Sequence, residues 1–386
     1  MKNISNVLEQ RKQASLYRQR KIIDSPQGTH ITLEGKRYLS FCNNDYLGLA
    51  NDSRIKKALH EGSDLYGVGS GAAHLITGHN IAHHELELAL AEFTGYERAL
   101  LFSTGYMANL GVISALVDRK DVIFEDKFNH ASLIDGAQLA QANLKRYHHN
   151  DTDSLLREIT KLDKQASLVA TDSVFSMDGD TAPLPALSKL CQEYNALLMV
   201  DDAHGLGILG KQGRGCLSHY GLTASEVPLY VGTLGKAFGT FGAFVAGSHD
   251  MIDALIQLAR TYIYTTALPP AVAHATLKSL DIVKQEEWRR DHLQDLIHQF
   301  RQKIPQLGYK LCNSSTAIQP IIVGDAQSAI NMSEQLKKLG ILIPAIRPPT
   351  VPQNSARLRI SFSANHTKGD LELLLAGLES LQGAAK

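Results

Sequence analysis

The sequence predicts an α/β fold: a large, mainly parallel sheet with helices on both faces, joined to a smaller α+β domain. Three observations carry that expectation. Between residues 46 and 283, short apolar runs (RALLFS, DVIFED, ASLVATDSVFS, ALLMVDDAH, PLYVGTLGKAFG, GAFVAGS) alternate with amphipathic stretches such as DSLLREITKL and PLPALSKLCQEYN. Strands threaded by crossover helices have this texture. After residue 284 the pattern changes to long helical segments interleaved with two strand-like runs, AIQPIIVG and ARLRISFS. Most of the polar clusters fall just past the C-terminal end of a predicted strand, the edge where open α/β sheets bind ligands.

In chain order, residues 1–45 make an N-terminal helix and hairpin segment. MKNISNVLEQRKQASLYRQRKII lacks the unbroken apolar stretch of a signal peptide, and Glu9 with the spaced apolar residues favours a surface helix. HITLEG and KRYLSFC follow as a hairpin with Gly35 at the turn. Residues 46–283 form the large ligand-binding domain. In 284–386, the small α+β domain, helices are expected at WRRDHLQDLIHQFRQKI, SAINMSEQLKKLG and DLELLLAGLESL around the two strands.

Composition excludes several classes of function. Lys+Arg and Asp+Glu both total 39, so no basic field argues for nucleic acid or a membrane surface. No apolar run approaches the ~20 residues that span a bilayer. Cys42, Cys191, Cys216 and Cys312 are scattered without C-x-x-C spacing, which argues against a metal or disulfide framework and for the reducing cytoplasm. An anionic ligand must therefore be captured locally.

The strongest local signal is Thr233-Leu234-Gly235-Lys236-Ala237-Phe238-Gly239, directly after the strand-like LYVG. A lysine beside two glycines can approach a flat ligand closely, and becomes nucleophilic if desolvation lowers its pKa. On residue type alone it would be an exposed loop lysine; a phosphate loop of the G-x-x-x-x-G-K-[ST] type is absent. The apolar run ALLMV delivers Asp201 to a strand end, with His204 on the turn after it. Asp201 either pairs with the protonated nitrogen of an aromatic ring or caps the next helix; His204 either donates to an oxygen of that ring or is a hydrogen-bonded loop residue. Leu101-Phe102-Ser103-Thr104-Gly105-Tyr106 turns from strand to helix. The backbone N–H groups of Gly105 and Tyr106 there suit a phosphate, although an N-capped turn is common in such folds. Gly67-x-Gly69-x-Gly71 has no strand before it and is weak as a dinucleotide fingerprint. His130, after IFEDKFN, lies flat on an aromatic ligand or is a satisfied loop residue. Ser176 contacts a ring oxygen or stabilises its turn. His83, His84, His148 and His149 read as surface.

Together, NNDYLGLA, SGAAHLITG, STGYMANL, NHASLIDG, TDSVFSMDGD, MVDDAHGLG, GTLGKAFG, YIYTTALPP and ARLRISF, in this order, resemble the α-oxoamine synthase family, within the fold-type I pyridoxal-phosphate transferases, over nearly the whole chain. Residues 147–151 (YHHND) and 345–352 (AIRPPTVP) are similar to the branch of that family serving biotin biosynthesis. The resemblance implies pyridoxal 5'-phosphate as cofactor and a condensation of L-alanine with a pimeloyl thioester, carried by coenzyme A or an acyl-carrier protein, in a cytoplasmic homodimer. Glycine-using synthases of the same family, and an aminotransferase on the same fold, are the alternatives. Roles are implied position by position. Lys236 would bond the cofactor as a Schiff base, Asp201 would face the pyridine nitrogen, and His204 and Ser176 would lie near the ring oxygen. Gly105, Tyr106 and Thr233 would hold the phosphate, reached by Thr266 from a second subunit. His130 would stack on the ring and meet the substrate. Arg18, Thr350 and Arg359 would address substrate, Arg359 by gripping the amino-acid carboxylate. At residues 70–74 (SGAAH) the chain departs from the family, which more often has Gly and Ser where the alanines stand.

Overall fold

The computed structural model describes residues 3–13, 16–162 and 167–383. At the N-terminus, helix Ile4–Gln13 buries none of its side chains. Held only by local propensity, a helix of this length is marginal, and the chain runs without helix or strand from 16 to 29. The terminal helix therefore stops short of Arg18. Strands β1 (His30–Leu33) and β2 (Lys36–Ser40) pair antiparallel. The two residues between them, Glu34 (φ 52°) and Gly35 (φ 73°), both take the left-handed conformation that a two-residue hairpin turn requires.

Seven strands form the principal sheet: β3 (Arg98–Phe102), β4 (Val122–Asp126), β5 (Asn143–Tyr147), β6 (Leu168–Asp172), β7 (Leu197–Asp201), β8 (Leu229–Thr233) and β9 (Ala243–Gly247). Their order across the sheet is β3-β9-β8-β7-β6-β4-β5. The run from β8 to β5 is parallel throughout, and only β9 is antiparallel to both its neighbours. Every residue of β4, β6 and β9 is buried, because helices cover both faces. Successive side chains go to opposite sides. Phe124, Val200, Tyr230 and Phe244 join one apolar core, while Ile123, Met199, Val231 and Val245 join the other. Helices Gly105–Leu116, Ala131–Leu139 and His249–Leu258 close the second core with Val112, Leu133 and Ile252. Helices Ile81–Thr94, Leu184–Glu193 and Pro270–Gln285 close the first with Leu86, Leu187 and Leu280.

Strand β5 (NLKRY) was not legible as a strand: it is the sheet edge, with one fully buried residue, Tyr147, and so carries no apolar run. The polar ends of β6, β7 and β8, at Asp172, Asp201 and Thr233, sit side by side on the C-terminal edge of the sheet.

In the C-terminal part, β10 (Lys310–Leu311), β11 (Ile318–Gly324), β13 (Ala345–Ile346) and β14 (Ala356–Ser361) form an antiparallel sheet in the order β10-β11-β14-β13. The short β12 (Ile341–Leu342) instead pairs with β2, in parallel, and so joins the hairpin to this part of the chain. On β14, Leu358 and Ile360 enter the apolar core. Arg357 and Arg359 project from the other face, toward residues 176–178, which follow β6. Among the described residues, no helix is long and apolar enough to cross a membrane.

Candidate active site

At the C-terminal edge of the principal sheet lies a cavity of about 180 Å³, lined by Gly105, Tyr106, Asn109, His130, Ser132, Asp172, Ser176, Asp201, Ala203, His204, Thr233 and Lys236. Eight of the residues singled out from the sequence are in that lining. They meet because each one sits at or just past a strand end.

Helix Gly105–Leu116 begins on the cavity wall. Thr104 caps it, accepting from Met107 N at 3.1 Å. Among the described residues, the N–H groups of Gly105 and Tyr106 have no acceptor within the chain. A Cβ built on Gly105 would meet nothing within 4 Å, so the approach to these donors is open. Two free N–H groups at a helix start, beside the Thr233 hydroxyl, make a place for a phosphate dianion.

Across the cavity, Asp201 is 6% exposed. One of its oxygens accepts from Asn109 Nδ2 at 2.6 Å and the other from Ala203 N at 2.9 Å. The next residue, Asp202, turns into the core, where Tyr230 OH (2.6 Å) and Cys216 N (2.8 Å) donate to it. Asp172, at the end of β6, accepts from His130 N at 2.7 Å. Burial, and then the nearby Asp201 charge, push its pKa well above the usual carboxylate range. Asp172 is thus favoured in its protonated form.

Lys236 Nζ lies 2.8 Å from His204 Nε2, and His204 Nδ1 lies 2.7 Å from Tyr46 OH. Tyr46 OH donates in turn to Asn44 Oδ1 at 3.2 Å. One proton arrangement satisfies the whole chain: His204 is neutral with its proton on Nδ1, donating to Tyr46 and accepting from Lys236. Burial, and then the Lys236 and Arg359 charges, hold His204 well below its ordinary pKa, in agreement. Burial also pushes the Lys236 amine down to about 8, so a substantial fraction is neutral near physiological pH. His130 caps helix Ala131–Leu139 through Nδ1, which accepts from Ser132 N, and also lines the cavity.

Arg359 is 6% exposed and anchored by three bonds: Nε to Ser176 O (2.6 Å), one terminal nitrogen to Ser361 Oγ (2.8 Å) and the other to Asn44 Oδ1 (3.3 Å). It stands behind Ser176 rather than in the cavity lining. Arg18 and Thr350 share a separate cavity of about 220 Å³ with Arg347 and Pro349. Thr350 also borders a space of about 270 Å³ with Phe128, Asn129 and Met177. Thr266 is exposed and bridged to Ala73, and does not line the Lys236 cavity of its own chain.

Sequence reasoning missed Tyr46, Asn44, Asn109 and Asp172 as parts of the site. NNDYLGLA and the helix after STGY contain three of them, but nothing in their local pattern shows that they meet residues 92 to 158 positions away. Two of the four histidines read as surface are not. His83 is fully buried, because its helix turns that face onto Leu268. His149 is half-buried between Asp126 (2.9 Å) and Asp180 (2.8 Å), with its ring stacked on Phe128. His84 and His148 are exposed.

Residues 36–378 match the family model of aminotransferase class I and II. The chain is 58% identical over 371 residues to an 8-amino-7-oxononanoate synthase of Nitrosococcus oceani, an alignment covering 96% of this chain and 98% of that one. A solved 8-amino-7-oxononanoate synthase from Francisella tularensis superposes with a TM-score of 0.79 at 34% identity, over 90% of this chain and 98% of that one. A solved SPT holding PLP as an internal aldimine gives a TM-score of 0.94 at 29% identity, over 100% of this chain and 99% of the other.

Proposed function

The chain belongs to the aminotransferase class I and II family, and we infer that within it the protein is the pyridoxal-phosphate-dependent acyltransferase of biotin biosynthesis that makes 8-amino-7-oxononanoate. It condenses L-alanine with a pimeloyl thioester and releases carbon dioxide and the free thiol. The relatives named above, at up to 58% identity over nearly the full chain, support the substrate pair. The single observation that carries the chemistry is the Lys236 amine, 2.8 Å from His204 Nε2, in a cavity that also presents the helix start at Gly105 and Tyr106 and the Asp201 carboxylate.

The cavity fits pyridoxal phosphate. The N–H groups of Gly105 and Tyr106, without an acceptor among the described residues, would meet its anionic group together with Thr233. Asp201 would meet a ring nitrogen, His204 and Ser176 a ring oxygen, and His130 a ring face. When bound, the cofactor supplies the electron sink that lets a carbon–hydrogen bond next to an amine ionise. The protein's own groups do the rest. Lys236 would hold the cofactor through its amine, and as a free amine, pushed down to about 8 by burial, it is placed to take the alpha proton. His204 and Tyr46 fix the direction of the Lys236 nitrogen through the hydrogen-bond chain described above. Asn109 and Ala203 fix the orientation of the Asp201 carboxyl by donating to its two oxygens. Arg359 is the cation nearest the Ser176 wall and grips the alanine carboxylate with its free N–H groups. Arg18 and Thr350, in their separate cavity, address the substrate, with the thioester carried by coenzyme A or an acyl-carrier protein. A homodimer supplies Thr266 to the partner's phosphate pocket. The four free thiols suit a reducing cytoplasm.

A panel of L-alanine, glycine and L-serine against acetyl, pimeloyl and palmitoyl thioesters tests the reading. Alanine with the pimeloyl thioester is expected to turn over fastest, with a product of the mass of 8-amino-7-oxononanoate. Equal or faster turnover of glycine with acetyl thioester, or transamination without thiol release, overturns it.

A further inference from the structure

Four histidines, His74, His79, His83 and His84, crowd the start of helix Ile81–Thr94, and none of them belongs to the Lys236 cavity. Their hydrogen bonds sort them into those that are committed and those that are free. His83 Nδ1 accepts from Asn80 N at 2.9 Å, so its proton is on Nε2, which points at Leu268 O 2.5 Å away. Both nitrogens of His83 are therefore taken. His74 is 7% exposed and stacked on Tyr262, with ring centroids 5.0 Å apart. Its Nδ1 lies 3.1 Å from His79 Nδ1, so one of the two rings carries the shared proton; with His79 as the donor, His79 keeps an unprotonated Nε2. That Nε2 faces Glu87 Oε2 at 3.9 Å. Glu87 Oε1 already accepts from Leu101 N at 2.9 Å, leaving Oε2 unclaimed. His84 lies three residues before Glu87 on the same helix face. One donor atom each from His79, His84 and Glu87 lie within 4.8 Å of one another.

We propose that His79, His84 and Glu87 form a binding site for one borderline divalent transition-metal ion, zinc above all. Two imidazole nitrogens and one carboxylate oxygen, with room for water in a fourth position, are a zinc-type donor set, whereas magnesium demands an oxygen shell. Bonds of about 2.0–2.2 Å place tetrahedral donors about 3.3–3.5 Å apart, so the 3.9 Å gap between His79 and Glu87 closes with a small side-chain rotation. His74 acts as a positioning residue: by accepting the N–H of His79 it aims the opposite nitrogen outward, in the place that a carboxylate, carbonyl or water more often takes behind a metal-bound imidazole. The ion ties the turn at His74–Gly78 to the helix that follows it.

The test uses tag-free, chelator-dialysed protein saturated with pyridoxal phosphate, titrated calorimetrically with zinc chloride and, separately, magnesium chloride. One zinc per chain and no magnesium heat are expected. His84→Gln and His79→Gln, both at exposed positions, should each weaken zinc binding at least tenfold without shifting the melting temperature. Glu87→Gln should do the same while keeping the bond to Leu101 N. Unchanged zinc affinity in the two histidine variants, or no zinc heat in the parent, overturns the assignment.

Discussion

Asp201→Asn separates charge from shape at the centre of the site. The native carboxylate accepts from Asn109 Nδ2 and Ala203 N. A substituted amide keeps one acceptor for Ala203 but turns an NH2 toward the NH2 of Asn109. That conflict has a local remedy: Asn109 Oδ1 is buried without a partner among the described residues, so a half-turn of the Asn109 amide offers it as the acceptor. Ser132 Oγ, now accepting from Asn109 Nδ2, keeps a bond by donating or accepting as required. The fold should lose no more than about 1 kcal/mol, a fall in Tm of no more than about 2–4 °C. Catalysis should lose far more. A unit charge facing an opposite one in a site of effective dielectric about 20 is worth about 4 kcal/mol, or about three decades of rate. Thiol release from pimeloyl-CoA with alanine should fall about 1000-fold, with cofactor content unchanged because the phosphate donors are untouched. Turnover within about tenfold of the parent would refute Asp201 as the ring-nitrogen partner. A large fall in Tm would show instead that the carboxylate is structural.

Tyr46→Phe removes the acceptor of His204 Nδ1–H and strands a buried donor at a cost of about 1–3 kcal/mol; kcat should fall about tenfold or more with KM for alanine little changed. The pH dependence of stability should carry the mark of His149. Burial lowers its pKa, but the hydrogen bonds to Asp126 and Asp180, and then their charges, outweigh that and hold it at about 9. The folded value is above the ordinary one, so the stabilisation is complete below about pH 6.5 and is lost as pH rises through 9. Thermal melts should therefore weaken between those limits, and His149→Gln should flatten the curve. Sedimentation should give a dimer, and Thr266→Ala should lower cofactor affinity; an active monomer in dilute solution would remove Thr266 from the site.

What was legible in the sequence follows from how far each signal reaches along the chain. Asp201, Thr233 and Gly105 were found because an apolar strand immediately before each one announces a sheet end, and Lys236 because it sits in a glycine-flanked turn after β8. Tyr46 and Asn44 escaped because their work depends on His204, far along the chain, and no strand leads to them. His83 and His84 differ only in which way one helix turn points, and the Asn80-x-x-His83 cap at the helix start was the clue to the buried one. Strand β5 escaped because a sheet edge of Asn, Lys and Arg carries no apolar period. Arg359 is in the predicted strand, but its three bonds to Ser176, Ser361 and Asn44 show an anchored group whose grip on a substrate uses only the N–H groups left over.

The central claim is that Lys236 both bonds the cofactor and moves the alpha proton of alanine. Proton NMR of L-alanine in deuterium oxide, with cofactor-loaded protein and no thioester, tests it most directly. The account predicts that the alpha-hydrogen signal disappears with the parent protein and persists with Lys236→Ala, whose circular dichroism should remain that of the folded parent. Washout by Lys236→Ala at a rate near that of the parent would contradict it.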